Sequence, residues 1–266
     1  MSFFFCNFAA DFVLTAGGKA FPVRIPPGEF RQIIVRCPSD KMELTVAFKG
    51  YEPCRLSYEK PQIIKIPKVR SFDDAGSFAV LKVNTPDHIE PVDHTTWTGP
   101  EDLSFEVKLG HDAANLYLIA TATDDRHYNK FDGTRIWKGD CMQLGIDPQT
   151  NSFGRRLFNP DDYVMTFALA QNKVQWAIHD GPNKLSLKKY SRVNIIRNEK
   201  KHQTVYYITL PLRYIDRTLL EPKTVFGLNL VFFDDDSDSG ADYWMFNTRG
   251  LAGKRDCSLY QLFELD

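Results

Sequence analysis

In the stretch IWKGDCMQLGID, residues 136–147, a tryptophan stands six positions ahead of a glutamine. A sugar ring offers an apolar face of C–H groups to an indole and hydroxyls to amides or carboxylates. Trp137 and Gln143 supply those two chemistries, and Arg135 adds a guanidinium that can donate to hydroxyls. Met142, Leu144 and Ile146 alternate with Cys141, Gln143 and Gly145. A strand with that pattern turns Gln143 off its apolar side, toward a ligand. The competing reading is a buried Trp137 that closes the edge of a sandwich. Trp97, Trp176 and Trp244 lie among strand residues and are expected to be structural.

A second group with chemical potential is FFDDDSDSGADYW, in which Asp234, Asp236 and Asp238 alternate as hard oxygen donors do in a calcium loop. The EF-hand pattern fails, because Ser239 stands where a glycine is required. A solvated hairpin tip is the alternative. Other acidic pairs, Asp124/Asp125 and Asp161/Asp162, sit at strand ends, where turn aspartates are common. A hydrolase would need two carboxylates facing one cleft. There is no GxSxG elbow and no GxxxxGK[ST] loop, and no histidine pair has the i, i+4 spacing of a zinc protease. Met165 and His179 could in principle hold a haem, although a methionine on a strand is ordinarily core.

These residues need a scaffold, and the composition of the 266-residue chain points to β-structure. It has 20 Phe and 11 Tyr, with Val, Ile and Thr in short runs. Charge is balanced, 33 basic against 34 acidic residues, so no global field favours nucleic acid or a membrane surface. No apolar run approaches the ~20 residues of a membrane span. The opening MSFFFCNFAADF lacks the basic and apolar regions of a signal peptide. The five cysteines have neither CxxC nor zinc spacing; free buried thiols are expected, with a Cys37–Cys54 bridge as the alternative.

Turn-forming Gly-Gly, Pro-Pro-Gly and Pro-Ser-Asp groups divide residues 1–72 into short strands, which predicts a small Ig-like β-sandwich segment. Residues 73–266 carry longer alternating strands and form the larger antiparallel β-sandwich of an all-β fold. Only PNKLSLKKY and LPLRYIDRTLL have helical spacing.

The order of the later segments resembles the family 9 carbohydrate-binding module. TWTGPEDLSFEVKLGHDAANLYLIATATDDRH is similar to its opening strands, WKGDCMQLGID to its tryptophan–aspartate strand, VFGLNLVFFDDDSDSG to its acidic hairpin and GLAGKRDCSLYQLFEL to its close. The likeness spans residues 78–266. It implies a β-sandwich containing calcium, here at Asp234, Asp236 and Asp238, that binds a poly- or oligosaccharide without cleaving it. It also implies an extracellular or periplasmic setting and further domains acting on polysaccharide. In the family two tryptophans clamp the sugar at the reducing end of a chain. Trp137 matches the first, and Gln143 stands in place of a glutamate. The loop expected to hold the second tryptophan reads GLAGKRDCSLY, with no aromatic before Tyr260, and the arginine expected in DDYVMTFAL is absent. Besides non-catalytic sugar binding, a hydrolase component and a sandwich that has lost its ligand are the readings to separate.

Overall fold

The computed structural model describes residues 2–5, 10–27, 30–33, 41–59, 61–91, 97–152, 157–221, 223–253 and 255–266. The chain forms two compact units, residues 1–62 and 63–266.

In the first unit β1 (Ser2–Phe5) pairs with β4 (Phe30–Ile33). A separate four-stranded antiparallel sheet has the order β3–β2–β5–β6, from β2 (Ala10–Ala16), β3 (Lys19–Ile25), β5 (Lys41–Phe48) and β6 (Cys54–Glu59). Alternate residues Phe12, Leu14, Val23, Ile25, Leu44 and Val46 form its core. Gly17 and Gly18 make the two-residue turn between β2 and β3, both at positive φ, as a hairpin of that length requires. Cys54 is exposed, and Cys37 lies outside the described residues.

The boundary falls ten residues earlier than the strand spacing predicts. β7 (Ile63–Ile66) reads as a last N-terminal strand but pairs in parallel with the strand Gln261–Leu265 at the far end of the chain. Its Ile66 is fully buried in the larger core. Local pattern cannot reveal a partner almost two hundred residues away.

The second unit continues with β8 (Ala79–Val83), β9 (Ile89–Pro91), β10 (Leu103–His111), β11 (Asn115–Asp124), β12 (Cys141–Asp147), β13 (Tyr163–Ala170), β14 (Lys173–Asp180), β15 (Arg192–Asn198), β16 (Gln203–Pro211), β17 (Val225–Asp234), β18 (Tyr243–Phe246) and β19 (Gln261–Leu265). One antiparallel sheet has the order β15–β16–β11–β10–β8. The other runs β14–β13–β12–β17–β18–β9, with β19 alongside the first half of β17. Alternation on β10, β11 and β16 points Phe105, Val107, Leu118, Tyr206 and Ile208 at Met142, Leu144, Phe167, Leu230 and Phe232 of the opposing sheet. This is the all-β sandwich the sequence predicts. The two helical patterns form α1 (Lys184–Tyr190) and the single turn α2 (Leu212–Ile215).

Candidate functional site

All seven residues of β12 are buried. Met142, Leu144 and Ile146 face the sandwich interior as expected. The other face carries a second apolar layer in which Cys141, Val164, Ala168, Ala177 and Val231 meet Ile136, Leu251, Cys257 and Tyr260. These come from a 3-10 helix at Gly133–Lys138 and from the segment leading into β19. Gly145 provides the flat patch on which the Tyr260 ring lies, since a Cβ there would sit 2.5 Å from the Tyr260 hydroxyl oxygen. Gln143 is therefore not open to solvent as its place in the alternation suggests: it is only 9% exposed. The covering segments are distant in sequence, so the alternation carries no trace of them.

Gln143 is part of a polar chain across three strands. Its amide donates to Thr166 Oγ1 at 3.2 Å, and Thr166 Oγ1 lies 2.8 Å from His179 Nε2. The Thr166 hydroxyl accepts from the amide and is left able to donate its own proton to Nε2 of a neutral imidazole. Burial, seconded by the Arg255 charge, pushes His179 below its ordinary pKa and keeps it neutral. His179 occupies a β-bulge, where the register of β13 and β14 shifts between Val164 and Met165. Met165 points into the opposite layer, so it and His179 cannot share a haem.

Trp137 is the tryptophan left most open, at 41% exposure. Trp176 instead stacks on Phe167 at 5.6 Å, Trp244 packs beside Phe233, and Trp97 donates its indole N–H to Leu103 O. Ile136 buries its side chain on the Gln143 face, which fixes the short helix bearing Trp137 on that face. Gly133 N donates to Gln175 Oε1, tying the helix to the start of β14. Lys138 Nζ lies 5.7 Å from the Trp137 ring centre. Arg135 pairs at 2.8 Å with Asp132, both of them exposed. At the other end of the same strands Arg255 pairs with Asp180 and covers the Phe158 ring at 5.2 Å. The ends are marked by the pairs Ala168–Gln175 and Val164–Asp180. Four strand rises along β13, from Val164 to Ala168, span ~13 Å. Gln143, Thr166 and His179 lie in that interval.

The acidic group is assembled differently from its sequence pattern. Asp238 turns outward, where Lys130 Nζ meets its carboxylate at 2.9 Å. Asp234 and Asp236 turn inward, toward carboxylates from other segments. Asp102, Asp125 and Asp236 each offer an oxygen, all within 4.8 Å of one another. Asp234 Oδ2 and Asp236 Oδ1 are buried without a hydrogen-bond partner. Burial, then repulsion from Asp124 and Asp236, pushes Asp234 up to about 9. Burial, then Asp125, pushes Asp236 up to about 6. Part of the charge is offset: Arg197 pairs with Asp124 at 3.3 Å, and Arg126 donates to the Asp236 carbonyl. Three carboxylate oxygens this close, one carboxylate of which has a buried unpartnered oxygen, suit a hard divalent cation such as calcium. Asp102, Asp125 and Asp236, with Asp234 behind them, are the residues that would hold it.

Comparison with known proteins bears on this layout. The profile of the family described as "Carbohydrate family 9 binding domain-like" matches residues 83–255. The chain belongs to that family. Family 9 structures also share its architecture. One, from Caldicellulosiruptor kristjanssonii in complex with cellotriose, has 13% identity and a TM-score of 0.56, covering 77% of this chain and 94% of its own. Another from the same organism, in complex with glucose, has 14% identity and a TM-score of 0.57, covering 77% and 96%. No curated protein matches the sequence.

Within the family 9 frame, the loop before β19 presents Arg255 over Phe158 where the resemblance calls for a second tryptophan. Thr166, Phe158 and Arg255 were not legible as site residues, and His179 was read only as a haem ligand beside Met165. The signal was an amide, Gln143, and a histidine, His179, on the two strands that flank β13. Asp102 and Asp125 were hidden for the same reason: they meet Asp236 only when the two sheets close.

Proposed function

We propose that the chain is a non-catalytic module that binds an oligosaccharide on the outer face of the β12–β13–β14 sheet. One observation carries this reading: the half-exposed Trp137 ring stands on the sheet face that holds the Gln143–Thr166–His179 chain. The indole would stack a sugar ring, and His179 and Arg255 would meet its hydroxyls. Gln143 acts from beneath by orienting Thr166 and His179. Arg135 is already engaged by Asp132 and has the smallest part. The complexes of the two structural neighbours make β-1,4-linked glucose oligomers the first ligands to try.

Calcium belongs to the same proposal, held by Asp102, Asp125 and Asp236 with Asp234 behind them. It would neutralise carboxylates that otherwise repel, and so fix the loop after β17 against those before β10 and after β11. Sugar binding of this kind fits an accessory role in polysaccharide degradation outside the cytoplasm, alongside catalytic domains.

Calorimetric titration with cello-oligosaccharides is the test. Trp137→Ala is expected to weaken binding about 30-fold, about 2 kcal/mol, with an unchanged melting temperature. Equal affinity in wild type and Trp137→Ala would remove this face as the site.

A further inference from the structure

We propose that the outer face of the five-stranded sheet is a second, independent saccharide-binding groove. A depression of about 740 Å³ lies over β15, β16 and β11, on the side away from the sandwich core. That volume is within the range of small-ligand sites. Strand register places its side chains in two rows. Arg192, Thr209 and Tyr117 are directly opposite one another across the three strands, and Asn194 and Tyr207 form the next row.

The rings are held in place before any ligand arrives. The Tyr117 hydroxyl donates to Asp112 at 2.5 Å. Phe72 sets its ring edge-on against Tyr117 at 5.2 Å and against Tyr207 at 5.7 Å. On the rim Tyr190, half exposed, stacks on Tyr214 at 4.8 Å. Such preorganisation lowers the entropy cost of binding. The polar groups are available: the Arg192 guanidinium, the Asn194 amide and the Tyr207 hydroxyl have no hydrogen-bond or ion-pair partner among the described residues.

The floor is the paired interior of a sheet, where the backbone groups are consumed by the strand ladders. A peptide cannot add itself there as a strand. Recognition falls to fixed aromatic rings bordered by an amide, hydroxyls and a guanidinium. That combination suits the alternating C–H faces and hydroxyls of a sugar chain. Among the described residues Arg192 is the one charged residue lining the groove, so a chain bearing uronate carboxylates is expected to bind more tightly than a neutral one.

The test is an amide-resolved NMR titration of the full chain with soluble fragments of β-1,4-glucan, β-1,3-glucan, xylan, mannan and polygalacturonate. The Asn194 side-chain amide is expected to shift with at least one of them, in wild type and equally in Trp137→Ala. Tyr207→Ala should weaken that response about tenfold and leave resonances around Trp137 unaffected. Should Tyr207→Ala disturb the fold, Arg192→Ala, on the exposed surface, makes the same measurement at the Asn194 amide. Absence of any Asn194 shift across the panel overturns the proposal. So does a response lost in Trp137→Ala, or one unchanged in every groove variant. Sugar binding at Trp137 is read separately, from the resonances around that ring.

Discussion

The two outer faces of the sandwich begin from similar sequence patterns and end in opposite states. On β11 burial alternates strictly, so Tyr117, Ile119 and Thr121 reach outward beside buried neighbours. On β12 every residue is buried. Both strands present an apolar row to the same core. They differ in what lies on their backs: β12 is covered by Ile136, Leu251, Cys257 and Tyr260, and β11 is not. Open and covered faces make different sites. The covered face offers a narrow polar interval between Trp137 and Arg255, whereas the open one offers a broad groove of tyrosines and unpaired polar groups.

Substitutions that probe this contrast have graded effects. Gly145→Val would drive a side chain into the Tyr260 ring and is expected to cost about 1–3 kcal/mol, read by denaturant melts. Thr121→Val, on the open face, should stay within about 0.5 kcal/mol. Equal losses at both positions would mean that Tyr260 does not define the covered layer.

The acidic corner joins the two sheets and gives the next effect. Asp236, pushed up to about 6, and Asp234, up to about 9, keep protons in the folded chain that the unfolded chain releases near pH 4. The folded state therefore loses stability, relative to the unfolded one, as pH rises through those values. Above pH 7 His179 is neutral in both states and does not oppose this trend. In chelator the melting temperature should fall from pH 7 to 9. Calcium at 100 times its dissociation constant should restore about 2.7 kcal/mol at pH 8 and clearly less at pH 5. A melting curve indifferent to calcium at pH 8 would leave the carboxylates without that partner.

Gln143→Leu is expected to lower sugar affinity about three- to tenfold, through loss of the hydrogen bond that orients Thr166 and His179. Arg135→Ala should change affinity less than about twofold, because its exposed pair with Asp132 contributes little. A larger loss for Arg135→Ala than for Gln143→Leu would reverse this assignment of roles.

Much of the molecule can be read along the chain. Period-two alternation set the strands and chose their core side, from Phe105 and Val107 to Met142 and Leu144, because a strand places alternate side chains on opposite faces whatever its neighbours are. The same reasoning put Gln143 on the non-core side, whereas Trp137 was picked out by the stacking chemistry of its indole. Closure of the fold settled the rest. It drew Tyr260 over Gly145, carried Ile63–Ile66 to the last strand, turned Asp238 toward Lys130 and brought Asp102 and Asp125 to Asp236. Each of these depends on segments far apart in sequence. Alternation records which side of a strand is apolar, but what finally covers the other side is fixed by packing across the whole chain.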